Sequence, residues 1–221
     1  DSDGDTVSFE AVVTELLELV INIAEQPKLN KLLEPNLADT LYVTMGYMTM
    51  SSSQEEMWMD DPNQFVADED DDFGNVRAAC GLMLDSLGER FGVKAVAALW
   101  NASNRRLVES MSAQQSGDSM WWRPREAALL AVGTMNEVVL SSLERAQEKG
   151  KPAPFDIVAF MKTVIENDLH ESTAVSAPFL RGRALWVTAR LSSGVPAEMA
   201  DAILRASVSS LAPGLAPPLR I

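Results

Sequence analysis

Apolar residues recur along almost the whole chain at the three- and four-residue spacing of an amphipathic helix, with no convincing alternating stretch that would read as a strand. That periodicity, cut at intervals by proline, is the strongest constraint on the fold. Ser8 can cap a first helix with Phe9, Val12, Val13, Leu16, Leu17, Val20 and Ile23 inward, ending before Pro27. A short helix over Leu29 to Leu33 follows, and Pro35 opens another carrying Leu37, Leu41, Tyr42, Met45 and Met48. Ser53 and Glu56 form a capping-box pattern, which predicts a short helix with Met57 and Trp58 up to Pro62.

Helical spacing resumes at Asn75, stops near Gly92, and runs again from Val93 to about Met111. Pro124 suits the first turn of a long helix reaching Val139, and at most one of the neighbours Trp121 and Trp122 can be fully buried. Lys149 to Pro154 is a stiff turn, Phe155 to Leu169 is helical, and Pro178 and Pro196 open the last two helices before a proline-rich stretch. Nine or ten helices at about 40 residues per pair match the HEAT/armadillo period. The expectation is an all-α solenoid of about five helical-hairpin repeats over 1–221, with a compact helical bundle as the alternative.

Charge is distributed unevenly over this pattern. Between Lys31 and Arg77 there is no basic residue, and the window holds eleven acidic ones: Glu34, Asp39, Glu55, Glu56, Asp60, Asp61 and the run Asp68, Glu69, Asp70, Asp71, Asp72. The formal net charge is −14, so that window carries −11 and the remainder only −3. Five adjacent carboxylates repel one another on a helix, so 60–74 reads as an acidic inter-helix loop anchored by Trp58, Pro62 and Phe65. Such a charge disfavours nucleic acid and anionic membrane as partners and favours basic protein.

Catalytic patterns are scarce. His170 is the single histidine and Cys80 the single cysteine, which leaves no disulfide and no zinc spacing. No phosphate-cradling glycine pattern occurs. Counted from Asp68, a calcium loop would put ligands at Asp68, Asp70 and Asp72. It would then need glycine where Phe73 stands and glutamate where Ala79 stands. Counted from Asp1, Thr6 and Val12 fail in the same places. No metal, no cofactor and no enzymatic activity are expected. The sequon Asn101-Ala102-Ser103 falls inside a predicted helix, and the chain's two ends look cut from a longer protein.

Four blocks carry a resemblance. Trp58-Met59-Asp60-Asp61-Pro62-Asn63-Gln64-Phe65 resembles the W-x-x-[DN]-P-x-[EQ]-[FY] element of the importin-β (karyopherin-β) family. The stretch from Gln64 to Asp72 leading into Val76-Arg77, the tryptophan pair with Glu126-Ala127 and Ala131-Val132-Gly133, and Leu180 to Trp186 narrow the resemblance to one branch of that family. Residues 143–154 match none of its motifs. The resemblance implies a central slice of a nuclear import receptor that shuttles between cytoplasm and nucleus. It further implies wrapping of basic cargo such as histones and ribosomal proteins, with release by Ran-GTP acting on the full-length receptor. Asp68, Glu69, Asp70, Asp71 and Asp72 are the candidate cargo contacts. Two readings stand beside it: a HEAT-repeat scaffold or histone chaperone binding basic proteins without transport, and a hydrolase whose acids would have to converge from different helices.

Overall fold

A computed structural model describes residues 9–70, 75–212 and 214–216. All regular structure among the described residues is helical, as the apolar periodicity predicts. The helices are α1 (Phe9–Glu25), α2 (Asn30–Leu33), α3 (Leu37–Tyr47), α4 (Ser52–Asp60), α5 (Pro62–Asp70), α6 (Val76–Phe91) and α7 (Val93–Gln115). They continue as α8 (Trp122–Thr134), α9 (Asn136–Glu148), α10 (Ile157–Thr163), α11 (Glu171–Ser176), α12 (Pro178–Arg190) and α13 (Ala197–Ser210).

Helices α1, α6, α8 and α12 lie side by side in one layer, and α3, α7 and α9 follow one another in a second. Each helix offers a stripe to its own layer and another to the facing one. The core is therefore a continuous band along the stack, running from Val13 and Leu17 through Leu41, Leu84 and Leu99 to Val132, Leu180 and Val187. Between α6 and α7 the chain reverses at Gly92, whose φ of +51° suits a residue without a side chain. Its N–H closes α6 on the Gly88 carbonyl at 2.9 Å.

Local chemistry sets several boundaries. Asn75 caps α6 by accepting the Ala78 N–H at 2.9 Å, and Asp156 does the same for α10 through Ala159. The cap of α4 is Ser51 with Gln54, a reciprocal capping box two residues ahead of the expected Ser53–Glu56 pair. The long helix expected through Pro124 to Val139 is two helices, broken at Met135 and bent by 63° between α8 and α9. Pro35 sits in a single 3-10 turn rather than opening α3, and α11 falls between the helices predicted to end at Leu169 and to open at Pro178. Of the tryptophan pair, Trp122 is buried and Trp121 half-buried, as neighbouring helical positions require.

The acidic segment departs most from expectation. It is not a loop as far as Asp70: α5 runs from Pro62 to Asp70. Repulsion between adjacent carboxylates is offset because Asp68 and Glu69 each have partners elsewhere in the fold. Asp71 and Asp72 lie outside the described residues.

Candidate functional site

The α4–α5 hairpin is built from its apolar anchors outward. Asp61 is extended (φ −127°, ψ 96°), the conformation a following proline imposes, and its carboxylate accepts the Asn63 N–H at 2.9 Å. The chain thus turns sharply, and Pro62 starts α5 where its missing N–H costs nothing. Trp58 is 1% exposed; its ring lies 5.1 Å from Phe65 and 6.1 Å from Phe179 of α12, with Phe65 and Phe179 5.6 Å apart. Such tilted and edge-on pairs add about 0.5–1.5 kcal/mol each beyond the burial itself. The expected anchors Trp58 and Phe65 are thus brought together, and Pro62 fixes the turn between them.

Two of the five candidate contacts are engaged internally. The Trp58 indole donates to one oxygen of Asp68 at 2.7 Å, and Gln64, one turn earlier on α5, donates to the other at 2.6 Å. Glu69 reaches Arg77 of α6, 3.4 Å from its Nε, and Arg183 of α12. Beneath it Glu126 of α8 takes a bidentate pair from Arg77 (2.5 and 3.0 Å) and a bond from Arg183 Nε at 2.8 Å. The four charges close a ring of alternating sign, Arg77–Glu126–Arg183–Glu69. Arg123 of α8 adds a second tie to the hairpin through Ser52 and Glu55.

This ring decides what the site can do chemically. Burial pushes the Glu126 carboxyl up, but the guanidiniums of Arg77 and Arg183 outweigh it and hold the group below the usual carboxylate range. Burial opposes the charge on Arg183, and Glu69 and Glu126 overcome that to raise it. A half-open groove of about 740 Å³ beside the hairpin does collect acids from different helices, Asp68, Glu69, Asp85 and Glu126 among them. Glu126 is held as an anion against two arginines and Glu69 is ion-paired with the same two, so the oxygens of both are engaged by guanidinium groups. Among the described residues no cluster of histidine, cysteine and carboxylate side chains has metal-binding geometry.

The other singled-out residues have structural roles. Burial pushes the Cys80 thiol up to about 12, so it behaves as a small core side chain. His170 caps α11 by accepting the Ser172 N–H. Asn101 is exposed on α7, with Ser103 of the same sequon buried.

The Leu180–Trp186 block owes its character to two arginines. Arg183 belongs to the ring, and Arg181, 1% exposed, donates to the Leu169 and His170 carbonyls and to Ser209 and Ser210 of α13. Apolar spacing does not predict these buried arginine contacts. Charged residues set in otherwise apolar helical stretches (Arg77, Glu126, Arg181, Arg183) were the available signal.

Comparison with known proteins agrees with this architecture. The family model for the importin-9 central HEAT repeats matches residues 33–212. The chain belongs to that family. It is thus a segment of an importin-β-type solenoid, in the branch to which three of the four sequence blocks point. Importin-9 of Drosophila melanogaster is 30% identical over 228 residues, covering 100% of this chain and 21% of the relative. The chain therefore spans about a fifth of that importin's length.

Proposed function

We propose that this chain is a segment of an importin-type nuclear transport receptor and contributes acidic surface for holding basic protein cargo, of which histones and ribosomal proteins are examples. Membership in the importin-9 central-repeat family carries the reading. The uneven charge supports it: the window from Lys31 to Arg77 holds eleven acids without an intervening base. Cargo release belongs to the full-length receptor meeting Ran-GTP, and the receptor shuttles between cytoplasm and nucleus. No catalysis is part of the reading.

Within the acidic run the five residues divide their work. Asp68 and Glu69 secure the root, where their internal partners are. Asp70, Asp71 and Asp72 are proposed as the cargo contacts. Exposed ion pairs are worth up to about 1 kcal/mol each. Replacing these three with asparagine should weaken binding of a histone dimer by roughly tenfold at low salt and flatten its salt dependence. Equal affinity across the salt series would remove the run from the contact surface. A scaffold or chaperone without transport would bind the same dimer, yet its full-length form would keep it when Ran-GTP is added.

A further inference from the structure

The α4–α5 hairpin falls in sequence between the first two helices of each layer, after α1 and α3 and before α6 and α7. Its contacts land much further along the stack. Glu55 and Ser52 hold Arg123 at the start of α8. Trp58 and Phe65 lie against Phe179 of α12, which itself stacks on Trp122 of α8 with an interplanar angle of 14°. Glu69 bridges Arg77 of α6 and Arg183 of α12, the latter 114 positions away. One short hairpin is thus tied to three consecutive helices of the same layer.

A stack of repeats bends by small rotations between neighbouring helices, because each repeat otherwise touches only the next. A crossbar fixed to three of them opposes those rotations. Its fixings differ in accessibility. Arg77, Glu126 and Arg183 have side chains 8%, 1% and 5% exposed, whereas Glu69 is 22% exposed. The one ring member that comes from the hairpin is also the one open to water.

We infer that the α4–α5 hairpin is a strap that fixes the rotation of α6, α8 and α12 relative to one another, and hence the local curvature of the solenoid, with Glu69 as its catch. Without the Glu69 charge, Arg77 and Arg183 share Glu126 as their one carboxylate, and the hairpin keeps its aromatic packing, the Arg77 guanidinium over Trp58 and the Arg123 ties.

The test uses Glu69→Gln in this chain, with two readouts. Hydrogen exchange over 52–70 should accelerate by tenfold or more, with α7 and α9 unchanged. Spin labels at the exposed positions 31 and 198 (Lys31→Cys, Glu198→Cys) report on the ends of the stack, the buried Cys80 staying unlabelled. Their distance distribution should broaden or shift in E69Q relative to the parent. Faster exchange with an unchanged distribution would make the hairpin a mere cover and overturn the inference. Unchanged exchange would remove Glu69 as the catch. If E69Q does not fold, Trp58→Phe alters no charge and keeps an aromatic ring, while removing the donor to Asp68 and part of the packing on Phe65 and Phe179. It should move both readouts in the same direction by a smaller factor, and a Trp58→Phe protein identical to the parent in both overturns the strap.

Discussion

Gly133 on α8 stands where no other residue fits. A methyl group there would lie 2.0 Å from the Trp186 ring of α12, which is itself flanked by the guanidiniums of Arg183 and Arg190 at 4.8 and 4.7 Å. Alanine in place of a helical glycine normally stabilises by up to about 1 kcal/mol. Gly133→Ala should instead cost about 1–3 kcal/mol, because the ring must shift away from the new methyl group and from its two guanidinium neighbours. Gly81 on α6 has open space around the same position. Gly81→Ala should therefore follow the ordinary rule and stabilise. Chemical denaturation of the two variants side by side checks the contrast, and equal effects would mean that Trp186 moves freely.

At the scale of elements, the turn from Val164 to Asp168 is π-helical and delivers Asp168 to Arg125 of α8 at 2.5 Å. The pair is wholly buried and uses one oxygen, leaving the second Asp168 oxygen and an Arg125 nitrogen without partners in the fold. Burial pushes the Asp168 carboxyl up to about 6 from 3.8, against the pull of Arg125. Between those values the folded chain binds the proton and the unfolded chain does not. This residue's contribution to stability therefore falls as pH rises from about 4 to about 6, and is level above that. Glu126 has the opposite sign: its folded pKa is lowered, so its contribution is complete above 4.5 and lost as pH falls further. Asp168→Asn cannot titrate. Its melting temperature should rise relative to the parent's between pH 4 and pH 6, by the equivalent of roughly 1–3 kcal/mol. A constant difference over that window would show that Asp168 stays charged throughout.

Element by element, the sequence was readable where a boundary is written locally. Pro178 and Gly92 mark helix ends through their own backbone chemistry, so no distant residue needs to be known. The break at Met135 was not readable, because apolar spacing runs through it unchanged. The helical state of α5 was hidden for a related reason. The partners that tame Glu69 are Arg77 on the next helix and Arg183 far along the chain, so its charges looked uncompensated. The candidate site was legible in its anchors, Trp58 and Phe65, and in its charge. How that charge is divided between internal pairing and free surface depends on three-dimensional neighbours that spacing does not encode.

For the molecule as a whole, the ends of the stack differ from its middle. Among the described residues α6 and α8 have neighbours on both sides in their layer, whereas α1 packs on α6 along one side. Its other face carries Phe9, Val12, Leu16 and Leu19 in one exposed stripe, with Phe9 75% exposed. A contiguous apolar stripe in water drives association. This chain should self-associate as concentration rises, and Phe9→Ser with Leu16→Ser should suppress it without changing the melting temperature. Light scattering across a concentration series reads the effect, and association that persists in the double variant would place the contact elsewhere.

The closed ring of four charges also limits how the sequence can drift. An alternating ring of two acids and two bases is neutral, and every single replacement that alters charge leaves an odd one buried, at a cost of several kcal/mol. Only paired losses of opposite sign restore balance, such as Glu69 together with Arg183. Those two residues lie on elements far apart in the chain, so a lineage discarding the hairpin's grip must cross an unfavourable intermediate first. In an alignment of relatives, positions 69, 77, 126 and 183 should accordingly be kept or lost in matched pairs.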